Sequence, residues 1–257
     1  MINSEKVRKK EKLFLTGYFV ASDPNPDASI EYIKNAINAG MDAIEIGIPS
    51  ADPYLEGDII KRAHERKYPD FKETQDIYNF FDKLRPYTDG PIWVMGYYNE
   101  VINSELYKLL AERKLVDGFI VPDLPINEMK SIRQNMKKFQ TELIPVINNK
   151  MSEEDLNIAL SETKLVYCQI HTGKTGTQIS NFNDLPFFFD KIKSKTDAKL
   201  MAGFGIKNAD LAQSVWKHGF EGVVVGSEIV KLVEMNDMEG LSELVESIVK
   251  SKEFKGV

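Results

Sequence analysis

The sequence predicts an α/β protein built as a closed (β/α)8 TIM barrel, with residues 1–257 forming a single domain. Two observations favour this fold. Short apolar segments alternate with amphipathic helical segments, which indicates a parallel sheet. Eight such units follow one another, and eight units in about 250 residues fit a closed barrel. No long linker divides the chain. An open doubly wound sheet is the alternative, and the lack of a Gly-x-Gly-x-x-Gly pattern after the first strand weakens it.

The predicted strands are the apolar segments 13–21, 43–48, 91–98, 118–122, 142–147, 165–170, 199–204 and 222–225. The predicted helices are 28–39, a segment from about 58, then 73–84, 104–114, 128–139, 153–160, 185–193, 209–218 and the final helices after 227. Asp27 is expected to cap the first helix and Gly40 to end it. Ile77, Phe81 and Leu84 show the spacing of one helix face.

Composition and charge exclude several classes of function. Hydrophobic residues make up 42% and charged residues 28%, as in ordinary soluble domains. The net charge of −6 argues against nucleic acid as the main partner. No segment approaches the roughly 18 apolar residues of a membrane span. The single cysteine, Cys168, excludes an internal disulfide and is expected to lie in the core. We therefore expect a cytoplasmic protein that binds neither nucleic acid nor membrane.

The stretch 43–57 carries the strongest functional signal. Glu45 interrupts an apolar run, and an ionised carboxylate inside a buried strand is costly unless it is paired or functional. Pro49 and Pro53 end the strand, and the loop that follows carries Asp52 and Glu56. One strand and its outgoing loop thus bring three carboxylates close together. The alternative is that Glu45 only forms an ion pair in the core.

Three glycine-rich loops follow the last three strands, at 173–176, 203–205 and 226–227. Glycines let backbone N–H groups approach a ligand closely, and the last loop runs directly into a helix. In barrels, the loops after the seventh and eighth strands often bind phosphate. The spacing therefore predicts a phosphate site. The alternative is that these glycines only mark turns.

The three histidines give no metal signal, because no two of them have the spacing of a ligand pair. His64 lies in a charged segment and His218 near a helix end, and we assign neither a function. His171 lies in the loop after the sixth predicted strand. The sequence supports equally a contact between His171 and phosphate and no role for this residue.

Several motifs together resemble the family of tryptophan synthase α subunits, from about residue 13 to residue 233. They are Ser22-Asp23-Pro24, Ala43-Ile44-Glu45-Ile46-Gly47-Ile48-Pro49, Asp52-Pro53, Tyr97-Tyr98-Asn99, Val121-Pro122-Asp123-Leu124-Pro125, Thr172-Gly173-Lys174-Thr175-Gly176, Gly203-Phe204-Gly205-Ile206 and Val225-Gly226-Ser227-Glu228-Ile229-Val230-Lys231. This family is a (β/α)8 barrel that cleaves indole-3-glycerol phosphate to indole and glyceraldehyde 3-phosphate in tryptophan biosynthesis.

The resemblance implies roles residue by residue. Glu45 takes the place of the catalytic acid/base, Glu56 that of an aspartate at the indole N–H, and Tyr167 that of a nearby tyrosine. The remaining positions are the phosphate binders Gly176, Gly205, Gly226 and Ser227, the pocket residues Tyr18, Tyr97, Ile120, Thr175 and Phe204, and the residues facing a β subunit in an α2β2 complex, Pro49, Asp52, Pro53 and Asn99. No metal and no organic cofactor are implied for this chain, since pyridoxal phosphate belongs to the β subunit.

The chain departs from the family pattern chiefly at the indole end. Glu56 is one methylene longer than the family's aspartate, and a shift of about an ångström can cost on the order of 10²-fold in rate. Val20 stands in place of a threonine, Asp58 in place of a proline, and His171 and Lys174 alter the loop after the sixth strand. Two alternatives follow: a paralogous lyase for another phosphorylated substrate, or a subunit that activates a β subunit without catalysis.

Overall fold

In a computed structural model of the chain, the structure describes residues 3–9, 13–71, 73–170, 185–203 and 205–253. Its strands are β1 (Phe14–Val20), β2 (Ala43–Gly47), β3 (Ile92–Met95), β4 (Gly118–Ile120), β5 (Glu142–Leu143), β6 (Val146–Ile147), β7 (Leu165–Gln169), β8 (Lys199–Gly203) and β9 (Gly222–Val225). All pairings between them are parallel, in the order β5-β4-β3-β2-β1-β9-β8-β7-β6. The predicted parallel sheet is confirmed.

The barrel closes at Ile144 and Pro145, where the predicted fifth strand divides into β5 and β6. Strand β5 pairs with β4, and β6 pairs with β7. The two linking residues continue this pattern, because Ile144 N donates to Phe119 O at 2.9 Å and Tyr167 N donates to Pro145 O at 2.9 Å. Both ends of the sheet therefore meet within one short segment. This closure excludes the open-sheet alternative, and the proline, which has no N–H, marks the break.

The helices surround the sheet. They are α1 (Pro26–Asn38), α2 (Asp58–Lys67), α3 (Thr74–Leu84), α4 (Leu106–Glu112), α5 (Met129–Lys138), α6 (Glu153–Leu160), α7 (Leu185–Lys193), α8 (Ala209–Lys217), α9 (Ser227–Glu234) and α10 (Met238–Lys250). The prediction that Asp27 caps α1 is wrong. Asn25 caps it instead by accepting from Ala28 N at 2.9 Å, since Pro26 begins the helix with its fixed φ. Gly40 follows α1 at φ +106°, as expected of a terminating glycine.

One further helix boundary differs from the prediction. The segment Asn99–Asn103 forms a π-helical turn. Because this turn occupies the loop after β3, α4 begins at Leu106 rather than at 104. Such turns are frequent at functional sites.

Side chains alternate between two cores. On β1, Phe14 and Tyr18 point into the barrel, whereas Leu15 and Phe19 pack under the helices. The barrel interior is filled at its amino end by Phe14 and Trp93, whose rings meet edge to face at 6.3 Å. Cys168 is buried in the outer core, as expected.

Three acids at the amino ends of the strands each accept a backbone N–H from a neighbouring strand. Asp42 accepts from Leu15 N at 2.9 Å, Asp117 from Ile92 N at 3.0 Å and Glu221 from Leu200 N at 2.9 Å. Each also pairs with a cation: Lys252, Arg85 and Lys193 respectively. These acids therefore stabilise the end of the barrel opposite the site described next.

Candidate active site

A small cavity of about 30 Å³ lies where the strands end at their carboxyl side. It is lined by Tyr18, Glu45, Glu56, Ile60, Met95, Tyr167, Gly205, Ile206, Val224, Gly226 and Ser227. A larger and broader cleft lies at the amino ends, lined mainly by charged side chains such as Arg8, Lys164 and Glu221. Chemistry in barrels occurs at the carboxyl ends of the strands. The smaller cavity is therefore the candidate site.

Glu45 lies in the middle of β2 with its side chain pointing into the barrel, fully buried. Neither of its carboxylate oxygens has a hydrogen-bond partner among the residues that the structure describes. Burial, and then the charge of Glu56, raises the pKa of Glu45 to about 8. The carboxyl group of Glu45 is therefore mostly protonated at neutral pH. The alternative that Glu45 forms an ion pair in the core finds no counter-ion among the described residues.

Glu56 reaches the same cavity from the loop after β2. Its N–H donates to Pro53 O at 3.1 Å, which forms a tight turn, and its side chain is only 5% exposed. The charge of Glu56 raises the pKa of Glu45 and of three tyrosines around the cavity: Tyr18, Tyr97 and Tyr167. The two carboxyl groups predicted from the sequence thus lie together. Asp52, the third acid of the stretch, is exposed and lines no part of the cavity.

Tyr18 and Tyr167 form two buried walls of the cavity. Burial raises the pKa of both phenols well above the usual range, and the charges of Glu45 and Glu56 add to this effect. Both hydroxyls therefore keep their protons. Glycines make room for them, because a Cβ on Gly47 would lie 2.1 Å from the Tyr18 hydroxyl and one on Gly203 would lie 2.1 Å from the Tyr167 hydroxyl.

Three of the predicted phosphate binders, Gly205, Gly226 and Ser227, line the cavity. Gly226 precedes α9, and Ser227 is the first residue of that eight-residue helix. The N-terminus of α9 therefore faces the cavity with N–H groups that have no partner within the helix and with a favourable dipole. Gly205 also lines the cavity at φ +98°, a conformation that glycine adopts readily. Gly176, Thr175 and Phe204 lie outside the described residues, as do His171 and Lys174.

Two predicted pocket residues lie beside the cavity without lining it. The Tyr97 hydroxyl accepts from Leu55 N at 3.2 Å, so it supports the loop that carries Glu56. Ile120 ends β4 and is fully buried in the inner core. Both residues therefore lie close to the predicted site, but they contact other residues of the chain and do not line the cavity.

The residues assigned to a partner surface divide into two groups. Asp52 and Asn99 are exposed, whereas Pro49 and Pro53 are buried in the chain. The loops of the two exposed residues are joined, because Ser50 Oγ donates to Glu100 Oε1 at 2.6 Å. Asp52 and Asn99 therefore belong to a shared surface at the carboxyl end of the barrel.

His64, which the sequence left without a function, is buried beside the cavity at 3% exposure. It lies on the inner face of α2 with Ile60, Ala63 and Lys67. Ile60 and His64 are four residues apart, which is the spacing of one helix face. That periodicity was the available signal, and the surrounding charged residues hide it.

The described residues contain no cluster of three or more histidine, cysteine, aspartate or glutamate side chains that could hold a metal ion. Within the same residues, no helix combines the length and the apolar character needed to cross a membrane.

The chain is similar to known proteins in both sequence and structure. A family model described as tryptophan synthase alpha chain matches residues 4–257. The tryptophan synthase alpha chain of Alkaliphilus metalliredigens is 30% identical over 251 residues, covering 96% of this chain and 94% of the relative. That of Caldanaerobacter subterraneus is 31% identical over 253 residues, covering 97% and 96%.

Solved structures agree with the sequence relatives. Tryptophan synthase subunit alpha of Legionella pneumophila superimposes with a TM-score of 0.85 at 26% identity, covering 98% of both chains. A Pyrococcus furiosus structure, described as the basis of mutual activation of the tryptophan synthase a2b2 complex, gives a TM-score of 0.82 at 27% identity. It covers 92% of this chain and 98% of that chain.

Proposed function

The chain belongs to the tryptophan synthase alpha chain family, whose lyase activity cleaves indole-3-glycerol phosphate, and we propose that Glu45 is the acid and base of that cleavage here. The observation that carries the proposal is the placement of Glu45: buried, without a hydrogen-bond partner among the described residues, and lining one cavity with Glu56. A barrel would not keep such a group for stability, because an unpaired buried carboxyl group is costly.

The reaction needs one proton delivered and one removed. The leaving carbon is C3 of the indole, which must gain a proton before the carbon–carbon bond breaks. Because the pKa of Glu45 is raised to about 8, this residue begins as the acid and donates to C3. The Glu45 carboxylate then takes the proton of the secondary hydroxyl as the aldehyde forms and the bond breaks. Glu45 ends protonated, so one residue completes the cycle.

Glu56 has the complementary role in this proposal. Protonation of C3 places positive charge on the indole ring, and a carboxylate at the ring N–H stabilises that charge. Glu56 lines the same cavity as Glu45, as this role requires. Its side chain is one methylene longer than the family's aspartate, and the turn closed by Glu56 N and Pro53 O holds its backbone. Tyr167, which keeps its proton, supplies a hydroxyl beside the two acids.

The phosphate of the substrate is expected at the N-terminus of α9. Gly226 and Ser227 present backbone N–H groups and a hydroxyl there, and the helix dipole favours an anion. Gly205 adds a flexible backbone position on the same wall. Gly176 is proposed as a further contact from the family pattern. We therefore assign the indole of the substrate to the two acids and its phosphate to the N-terminus of α9.

A tryptophan synthase β subunit is the partner of this chain, as in the similar a2b2 complex from Pyrococcus furiosus. We assign the contact to the surface around Asp52 and Asn99, which are exposed beside the cavity. Pro49 and Pro53 shape the loop from within. Pyridoxal phosphate is assigned to the β subunit, and the cytoplasm is the proposed site of action.

The test is indole release from indole-3-glycerol phosphate by the purified chain, alone and with a β subunit. The unmodified chain is expected to release indole, and faster with the β subunit. Glu45→Gln should lose about 10²–10⁴-fold in kcat, which is the range for a general acid–base group, while it still binds the substrate. Exposed Glu65→Gln on α2 is the matched control and should retain full activity.

The outcomes separate the alternatives. Full turnover by Glu45→Gln contradicts the assignment of the acid/base. Absence of turnover by the unmodified chain, with stimulation of the β subunit, favours a non-catalytic activating subunit. Absence of both, with phosphate still bound, favours a different phosphorylated substrate.

A further inference from the structure

His64 links the loop after β2 to a tyrosine of the cavity. Its Nδ1 lies 3.1 Å from Ser50 N, and its Nε2 lies 3.1 Å from the Tyr18 hydroxyl. Both contacts are buried, and they join residues that are 14 and 46 positions apart in the chain. The imidazole therefore has two fixed neighbours, one on each ring nitrogen.

The neighbours of His64 determine where its proton lies. A backbone N–H can only donate, so Nδ1 must be an unprotonated acceptor of the Ser50 N–H. Burial lowers the pKa of His64 to about 4, so the ring is neutral at pH 7. A neutral imidazole with a bare Nδ1 carries its hydrogen on Nε2. Nε2–H therefore donates to the oxygen of Tyr18.

This assignment fixes the direction of the Tyr18 hydroxyl. Its oxygen is already an acceptor of the His64 N–H, so its own hydrogen cannot point at His64. Among the residues that the structure describes, Tyr18 has no other hydrogen-bond partner. Tyr18 and Glu45 are register partners on β1 and β2 and both line the cavity. The hydroxyl hydrogen is thus directed into the cavity, where the acids lie.

We propose that His64 is a positioning residue that holds the Tyr18 hydroxyl as a hydrogen-bond donor to the oxygen atoms reacting at Glu45. Those atoms are the Glu45 carboxylate, once it has given up its proton, and the substrate hydroxyl whose proton it takes. The inference rests on the proposed function and adds two residues to it. A donor aimed before the reaction stabilises negative charge without a reorganisation step.

The platform for His64 is itself held in place. Ser50 Oγ donates to Glu100 Oε1 at 2.6 Å and accepts from Asp52 N at 3.3 Å. Ser50 is buried, so its N–H keeps a constant direction toward Nδ1. A histidine suits this position because one ring nitrogen accepts from the fixed Ser50 N–H while the other donates to Tyr18.

The experiment uses variants that each keep one half of the imidazole. In His64→Asn the short amide retains an acceptor for Ser50 N–H but does not reach Tyr18. In His64→Gln the longer amide retains an N–H for Tyr18. Tyr18→Phe removes the hydroxyl, and a Tyr18→Phe/His64→Asn double variant completes the cycle. His218→Asn is the control, because the one hydrogen bond of the His218 ring within the described residues is to Ser214 O of its own helix.

Indole release is measured for each variant, with kcat and KM determined separately. Tyr18→Phe and His64→Asn are each expected to lower kcat about fivefold to tenfold, the value of one oriented hydrogen bond, with KM changed less than about twofold. His64→Gln should stay within about twofold of the unmodified chain, and the double variant should be no slower than Tyr18→Phe alone. Losses that multiply in the double variant, or an unchanged kcat in His64→Asn, would overturn the proposal.

A second measurement needs no substitution. The ¹⁵N resonances of His64 in the unmodified chain report which ring nitrogen carries the hydrogen. The Nε2–H tautomer is expected at pH 7, and the Nδ1–H tautomer would overturn the assignment even if a histidine variant failed to fold. Measuring indole release by Glu45→Gln distinguishes the proposed function from this inference about His64. If it is active, the proposed function fails, whereas an inactive Glu45→Gln with fully active Tyr18→Phe and His64→Asn contradicts only this inference.

Discussion

The first prediction concerns the difference in the free energy of unfolding between the Glu45→Gln variant and the unmodified chain. Between mild acid and neutral pH, this difference is expected to shift in favour of the variant. Glutamine has nearly the shape of the protonated carboxyl group and cannot ionise. The unmodified chain, in contrast, holds a buried carboxyl group whose pKa is raised to about 8 from an ordinary value of 4.5. The folded state therefore binds this proton more tightly than the unfolded state does.

The sign and size of the effect follow from proton linkage. Because the folded pKa is the higher one, the stability associated with the proton is complete below pH 4.5 and is lost as the pH rises from 4.5 through 8. Integrating between these values gives a loss of about 3 kcal/mol in the free energy of unfolding between pH 5.0 and pH 7.5. Glutamine has no such loss.

Urea unfolding of both proteins at several pH values measures the effect. Subtracting one curve from the other removes the titrating groups that do not interact with Glu45, and a constant cost of the amide cancels between the two pH values. Exposed Glu65→Gln should show no comparable change. A difference that stays within about 0.5 kcal/mol from pH 5.0 to pH 7.5 would refute the reasoning. Glu45 would then titrate near its ordinary value, and the proposed order of proton transfer would fail with it.

Three further substitutions test other parts of the barrel. Gly226→Ala places a Cβ no closer than 3.6 Å to the described atoms beyond its chain neighbours; stability should change by less than about 0.5 kcal/mol, while KM rises because the methyl group enters the phosphate end. Gly203→Ala should lower both thermal stability and kcat, because its Cβ lies 2.1 Å from the buried Tyr167 hydroxyl. Asp117→Asn should cost about 2–4 kcal/mol in urea unfolding, since an amide cannot accept from Ile92 N–H and neutralise Arg85.

Each of the two glycine substitutions has an outcome that would contradict its explanation, and Asp117→Asn has a matched control. A loss of stability in Gly226→Ala would show that this glycine is required for folding, contrary to the prediction. Normal kcat in Gly203→Ala would show that the position of Tyr167 is unimportant for the reaction. For Asp117→Asn the matched change is Asp89→Asn, at an exposed position shortly before β3, where no loss is expected.

The sequence predicted the strands well because each has a local signature. Apolar composition and flanking glycine or proline place all eight within a few residues of their observed positions. It did not predict that 142–147 divides at Ile144 and Pro145, because the division depends on which neighbours the two halves meet. The cap of α1 was misplaced for a different reason: Asn25 and Asp27 are both suitable caps, and only the start of the helix at Pro26 decides between them.

The site was predictable only as far as single residues carry their own signal. Glu45 could be singled out because an acid in an apolar strand is unusual. His64 could not, since its role depends on Tyr18, 46 residues away. The direction of a hydroxyl hydrogen depends on the partner of its oxygen, and that partner is set by barrel register and helix packing. Such contacts become visible only in the folded chain.

The acids of the two barrel ends show how the same residue type serves opposite purposes. Asp42, Asp117 and Glu221 each accept a backbone N–H and pair with a lysine or arginine, so their charges are compensated within the fold. Glu45 has neither kind of contact among the described residues, so its ionisation weakens the fold. Supplying Glu45 with a cation would relieve that cost, but it would also lower the pKa of Glu45 and remove the proton that the indole carbon needs. A Glu45 stabilised in this way would therefore hold no proton to donate at neutral pH. The cost of its ionisation to stability at neutral pH follows from its function.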